Sequence, residues 1–197
     1  MLEKTEGIVL KSIPYRESSN IVQIYTKDWG LKSFIIKGGR KKNATIHSSL
    51  FQPMQLLNIV AYVNNKSNIS QLKEVSILEN LNNIYCNIIK SSLVFFITEV
   101  IILSLREEMK DENIYSFLYD SIIDLNNKTD KEMKDFHLFF LYEFAKILGF
   151  EPNNLSPFTS SKQERNDRLS LFLEFYKEHI TNHKQIQSQE ILHLINN

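Results

Sequence analysis

Cysteine is nearly absent: Cys86 is the only one in 197 residues. One thiol closes no disulfide within the chain and builds no four-thiolate zinc site. It fits a reducing, cytoplasmic setting. Glycine and proline are scarce, at 5 and 4, which excludes a collagen-like chain and low-complexity linkers. An excess of one charge is lacking too, with 23 Lys and Arg against 23 Asp and Glu. The opening run Met1-Leu2-Glu3-Lys4-Thr5-Glu6 holds two acids and no apolar core of signal-peptide length. The greasiest stretch, Ile88 to Leu105, is interrupted by Lys90 and Glu99. Each would cost roughly 2.5–3.5 kcal/mol near a bilayer centre, so the stretch reads as a buried core helix rather than a membrane span.

What is present is a globular composition, 43% hydrophobic and 23% charged, with an uneven distribution of charge. Residues 1–80 hold 11 Lys and Arg against 6 Asp and Glu, whereas residues 81–197 hold 12 against 17. A basic front half suggests an anionic partner for it.

The first eighty residues read as strands. Gly7 to Ile13 is β-branched and apolar and stops at Pro14. Asn20 to Thr26 alternates, and Lys27-Asp28-Trp29-Gly30 turns it into a third strand, Leu31 to Lys37. After a polar, basic connection over residues 40–52, Met54 to Val63 and Ile69 to Leu78 complete five strands, the pattern of a small barrel.

The period then becomes helical. Leu81 to Leu105 and Asn113 to Leu125 carry apolar residues at helical spacing. Thr129 with Glu132 reads as a capping box for a third helix, which runs through Phe136 to Leu148 and ends at Gly149. That helix is apolar almost all round, as expected of the centre of a bundle. Residues 151–166 read as loop, and Asp167 to His179 and Ser188 to Ile195 as closing helices. The boundary expected from this change of period lies near residue 80, giving domains 1–80 and 81–197.

No catalytic motif is assembled. The chain has no G-x-S-x-G elbow, no phosphate loop and no G-x-G-x-x-G. His179 and His183 have the four-residue spacing of paired metal ligands, but Glu178 precedes them where a metalloprotease places its acid after the first His. The segment reads as a solvated helix face, with His137 a core or rim histidine and Cys86 a small buried hydrophobe. We therefore expect no catalytic residues, no metal, with His193 the one further histidine that could join His179 and His183, and no cofactor.

The positive signal is Lys37-Gly38-Gly39-Arg40-Lys41-Lys42, four cations in six residues where a strand ends. Lys11, Arg16, Lys27 and Lys32 come from neighbouring segments, with Tyr15, Tyr25, Trp29 and Phe34 interleaved. A small barrel with a basic groove and aromatics holds single-stranded nucleic acid, cations on phosphates and rings on bases. An ordinary solvated loop with its aromatics in the core fits the same residues, and Tyr25 and Phe34 could face inward.

Thr5-x-Gly7-Ile8-Val9-Leu10, then Tyr15-Arg16-Glu17-Ser18-Ser19-x-Ile21-Val22, Tyr25-Thr26-x-x-x-Gly30 and Lys37-Gly38-x-Arg40-Lys41 closely resemble the N-terminus of the RecO family of bacterial recombination mediators. Leu50-Phe51-Gln52-Pro53 and Leu72-Lys73-Glu74 continue the match. Leu105-Arg106-Glu107-Glu108 and Phe136-His137-Leu138 leading to Leu148-Gly149-Phe150-x-Pro152 resemble the form found in the Bacteroidetes group. The resemblance covers roughly residues 1–155. It implies an α+β chain in which a five-stranded OB-fold barrel precedes an α-helical bundle. It also implies binding of single- and double-stranded DNA, annealing of complementary strands, and action with RecR to load RecA on DNA coated by single-stranded-DNA-binding protein, in the nucleoid. None of this needs a cofactor or catalysis by the chain. The DNA-binding residues expected are Lys11, Arg16, Lys32, Lys37, Arg40, Lys41 and Lys42. For the acidic tail of single-stranded-DNA-binding protein, Arg106 and Lys110 on the helical domain are expected, with Lys90 and Lys146 weaker. Many family members carry a four-cysteine zinc module after the Gly-Phe-x-Pro segment, but here Asn153 to Ser161 holds no cysteine. A helical interaction module with a vestigial OB-fold that no longer binds DNA is the rival expectation.

Overall fold

A computed structural model describes residues 2–63, 69–107, 109–180, 186 and 188. Among them, five strands close a barrel in the order β1-β2-β3-β5-β4. The strands are β1 (Leu2–Tyr15), β2 (Ser19–Thr26), β3 (Gly30–Ile36), β4 (Leu56–Tyr62) and β5 (Ile69–Ile77). All neighbours are antiparallel except β3 and β5, whose parallel pairing over Ser33–Ile35 closes the cylinder. This is the OB-fold arrangement.

Alternation decides which residues fill it. Val9, Val22, Ile24, Phe34, Ile36, Phe51, Leu57, Ile59, Ala61 and Leu72 form one buried cluster inside the barrel. β1 is longer than the sequence suggests and does not stop at Pro14. Its first half pairs with β4 and its second half, from Gly7 to Tyr15, with β2. Pro14 therefore lies where β1 has a partner on one side among the described residues, the edge position that tolerates a missing N–H. A bulge between Val9 and Lys11 lets β1 pass from one partner to the other.

The chain divides into two compact units. One comprises residues 1–81 with Leu105–Tyr115; the other comprises Asn82–Ser104 with Ser116–Asn197. Segment 105–115 therefore returns to the barrel unit. It covers the outward side of β2 and β3, where Tyr25 and Leu31 pair across the sheet. The Tyr25 hydroxyl accepts from the Asp111 N–H and donates to the Asp111 carbonyl, both at 3.2 Å. Burial pushes the Tyr25 phenol up to about 12. Gly30 lies beneath this clasp at φ +65, where a Cβ would sit 2.4 Å from the Met109 carbonyl oxygen.

The second unit is built on α1 (Asn82–Tyr85), α2 (Ile88–Ser104), α3 (Glu112–Asn127, entering this unit at Ser116), α4 (Phe136–Ile147) and α5 (Lys162–His179). α4 packs on α2 and α5, and Phe140 and Phe144 meet Phe117 of α3, so it is the central helix the sequence suggests. Gly149, at φ +85, ends it: the Gly149 N–H reaches the Lys146 carbonyl and the Phe150 N–H the Ala145 carbonyl.

The expected helix over 81–105 is broken in two. Asn87 ends α1 and caps α2, its Oδ1 accepting from the Ile89 and Lys90 N–H groups. The third helix begins at Phe136 and not near Thr129. The capping-box pair is in contact, but the Thr129 N–H and hydroxyl both donate to the Glu132 carboxylate, so the hydroxyl closes a turn and caps nothing. The last described helix starts at Lys162, within the expected loop. Ser161 caps it by accepting from the Glu164 N–H, while the Glu164 carboxylate receives the Ser160 N–H. Cys86 is exposed and not a buried hydrophobe, because it falls in the break between α1 and α2. The expected helix over Ser188 to Ile195 lies outside the described residues except Ser188, whose N–H donates to Glu99 at 2.9 Å. No helix among the described residues is long and apolar enough to cross a membrane. Lys90, inside the greasy stretch, is 4% exposed and donates to the Asn126 carbonyl at 2.8 Å.

Candidate nucleic-acid interface

The cations gather at one end of the β1–β2–β3 sheet. The strand registers bring the end of β1, the start of β2 and the end of β3 together: Tyr15 pairs with Ser19, and Asn20 with Ile36. The β1–β2 turn carries Arg16, and the loop after β3 carries Lys37, Arg40, Lys41 and Lys42, all exposed. The Arg40 guanidinium donates to the Arg16 carbonyl at 2.5 Å and the Arg40 N–H to the Ser18 carbonyl at 3.3 Å. These bonds fasten the basic loop to the turn, so five cations share one rim.

Lys11 lies on the outward face, opposite Gln23, which is opposite Ser33. Two residues on, Ile13 faces Ile21, which faces Ile35. The outward face thus has an open half around Ile13 and Tyr15 and a half covered by segment 105–115. The structure does not bring Lys32 to the rim. It pairs with Ile24, a barrel-core residue, near the opposite end of β3. Lys27 sits at that opposite end too, in an ion pair with Glu6 at 3.4 Å.

The interleaved aromatics divide. Phe34 is in the barrel core and Tyr25 under the clasp. Trp29 packs against the core and donates from Nε1 to Glu3 at 3.1 Å. Tyr15 is exposed, with the Arg16 guanidinium 5.2 Å from its ring centroid.

Arg106 and Lys110 are exposed, but they belong to the returning segment and thus to the barrel unit. Lys90 is buried and cannot meet a partner, and Lys146 is paired with Glu143 at 3.1 Å. Sequence reasoning missed a groove of about 520 Å³ in the helical unit, between the end of α3 and the start of α4. Phe117, Phe136, Phe139 and Phe140 line it, with Lys131 and Lys134 on the connecting turn. Its acids are engaged: Asp124 with Lys128, Asp135 with Arg165 and Thr159, Glu143 with Lys146. Glu132 is held below the usual carboxylate range by its hydrogen bonds from Thr129. Lys131 and Lys134 have no ion pair among the described residues. Two lysines three apart in a polar turn beside an aromatic helix were the available signal.

No group of three or more metal-ligating side chains forms among the described residues. The His179 ring stacks on Phe175 at 4.2 Å, and His183 and His193 lie outside the described residues.

A family description for the N-terminal domain of recombination protein O matches residues 1–81, and one for its C-terminal domain matches residues 87–156. The chain belongs to the RecO family. It is 35% identical over 153 residues to the DNA repair protein RecO of Phocaeicola vulgatus, covering 78% of this chain and 63% of that one. It is 37% identical to the protein of the same name from Flavobacterium psychrophilum, over 76% of this chain and 63% of the relative. The Bacteroides fragilis protein is 34% identical, over 78% and 63%. The chain thus aligns with less than two thirds of the length of these RecO relatives.

Proposed function

We propose that the chain is a DNA repair and recombination mediator that binds DNA at the Arg16/Lys37–Lys42 rim of its OB-fold. In this reading it anneals complementary strands and, with RecR, promotes RecA loading on DNA covered by single-stranded-DNA-binding protein. It does so without catalysis or a cofactor of its own. The observation that carries the reading is the fastening of the basic loop to the β1–β2 turn through Arg40. It turns scattered lysines into one anionic-ligand surface. Arg40 has a structural role there, so Lys37, Lys41 and Lys42 are the residues left for phosphates. Replacing all three with Ala should weaken oligonucleotide binding and flatten the log–log salt dependence by about 2, at roughly 0.7 per lost single-strand contact. Fluorescence anisotropy across a salt series measures it. An unchanged slope would return the loop to solvation and favour an interaction module without DNA binding.

The helical groove supports a second contact. An acidic tail ending in an apolar ring, as the family resemblance implies for single-stranded-DNA-binding protein, needs an aromatic pocket and cations for its carboxylates. The groove of Phe136, Phe139, Lys131 and Lys134 supplies both, whereas Arg106 and Lys110 are carried by the other unit. Lys131→Ala with Lys134→Ala should weaken binding of such a peptide about tenfold, and Arg106→Ala should leave it within twofold. The reverse ranking in a peptide titration would move the contact back to Arg106.

A further inference from the structure

We propose that the open half of the outward β1–β2–β3 face holds single-stranded nucleic acid by its bases, with the Tyr15 ring as the stacking surface and Arg40 as the residue that positions it. This deepens the DNA-binding reading above and rests on it.

Of the four rings interleaved with the cations, the fold uses three: Phe34 and Trp29 in or against the barrel core, Tyr25 beneath Asp111. Tyr15 is left, 37% exposed, on the same face as Ile13, which is 43% exposed. Ile21 and Ile35 continue the strip across β2 and β3 and are half-buried. One end of this face is closed by residues 105–115. The other end meets the cationic rim.

The turn that presents the ring is built under strain. Arg16 has φ +53, a left-handed conformation that a residue with a Cβ keeps only when its surroundings hold it. What holds it is Arg40, through the Arg16 and Ser18 carbonyls. In that conformation the Arg16 guanidinium lies over the Tyr15 ring, giving a cation and a π surface side by side.

Charge selects the occupant. From residue 11 to residue 42 there are eight Lys and Arg, with Glu17 and Asp28 the acids, and Asp28 already accepts the Thr5 hydroxyl at 2.6 Å. A polyanion fits. An apolar strip with an exposed ring inside that rim further selects a polyanion whose base faces are free. A duplex keeps its bases stacked and offers its backbone and groove edges, but no free base face. An apolar protein segment would find the strip but no use for the cations.

The test is fluorescence anisotropy of the full chain with three probes of equal length: oligodeoxythymidine, an abasic strand and a duplex. Tyr15→Ala should weaken oligodeoxythymidine binding about tenfold, with the salt slope, the abasic strand and the duplex unchanged. Tyr15→Phe, which keeps the ring, should restore binding. Arg40→Ala should lower the preference for oligodeoxythymidine over the abasic strand as Tyr15→Ala does. The double variant should be no less selective than Tyr15→Ala alone, because both act through one ring. Equal losses on the abasic strand or the duplex, or a change under twofold on oligodeoxythymidine, would overturn the proposal. If salt-sensitive binding persists while Tyr15→Ala is silent, stacking alone fails. If the unmodified chain binds none of the three probes, the DNA-binding reading fails with it.

Discussion

Gly30→Val is expected to destabilise the barrel unit by roughly 3 kcal/mol or more. Position 30 opens β3 at φ +65, and a β-branched residue there carries about 1–3 kcal/mol of backbone strain. Its Cβ would also lie 2.4 Å from the Met109 carbonyl oxygen, 2.6 Å from the carbonyl carbon and 2.8 Å from the Lys110 nitrogen. These are backbone atoms and cannot swing aside. The segment must lift, and with it go both Tyr25–Asp111 hydrogen bonds, each worth about 1 kcal/mol, and the cover over Leu31. Trp29 is the only tryptophan and lies in this unit, so its fluorescence during denaturant unfolding reports the change. Gly149→Ala is the control. It has the same sign of φ, at +85, but nothing within 4 Å of an added Cβ, so strain of about 1 kcal/mol is the whole effect. If Gly30→Val costs no more than Gly149→Ala, the segment does not bind the barrel as tightly as described.

The second large effect lies in the helical unit. Phe144→Ala should cost roughly 3–5 kcal/mol, the range for emptying a buried aromatic site. Phe144 is fully buried on α4, stacked on Phe117 at 5.9 Å and 5.4 Å from Phe140. None of these rings can collapse into the gap without breaking another contact. The helical circular-dichroism transition should fall by on the order of 10 °C. Phe139→Ala, on the exposed side of the same helix in edge contact with the 71%-exposed Phe158, should cost under about 1 kcal/mol. Similar losses from both would contradict the assignment of α4 as the central helix.

The barrel and the helical unit were legible because period changes along the chain: Asn20 to Thr26 alternates, whereas Leu93, Ile97, Val100 and the other apolar residues of α2 repeat at helical spacing. The strand ends were less so. Pro14 reads as a stop, and only the pairing of β1 with β2 on one side explains why it is not. Asn87 was hidden by apolar residues on both sides, though its side chain breaks the helix locally. Ser161 and Glu164 were readable as a cap and were outweighed by the polar run around them. Thr129 and Glu132 carried the same signature and closed a turn, so the motif fixes a contact and not a helix. In the candidate site, the cations were visible as a cluster in sequence. The bond from Arg40 to Arg16 was not, since it spans 24 residues, and neither was the sorting of the four rings. Segment 105–115 has no clear period, which is why Arg106 and Lys110 read as part of the helical domain.

The route of the chain sets an order of events during synthesis. It passes from the barrel unit to the helical unit at residue 82, back at 105 and out again at 116. The nascent barrel, though all five strands end by Ile77, lacks its clasp until Tyr115 has emerged from the ribosome. At about 5–20 residues per second that is a delay of roughly 2–8 s, during which Tyr25 and Leu31 face water. By then α2, which the helical unit cannot bury without α4, has already emerged. Each unit therefore waits for a later stretch of its own chain while part of the other is being made, and a fragment ended at residue 81 would keep the cylinder while permanently exposing the side that the clasp covers.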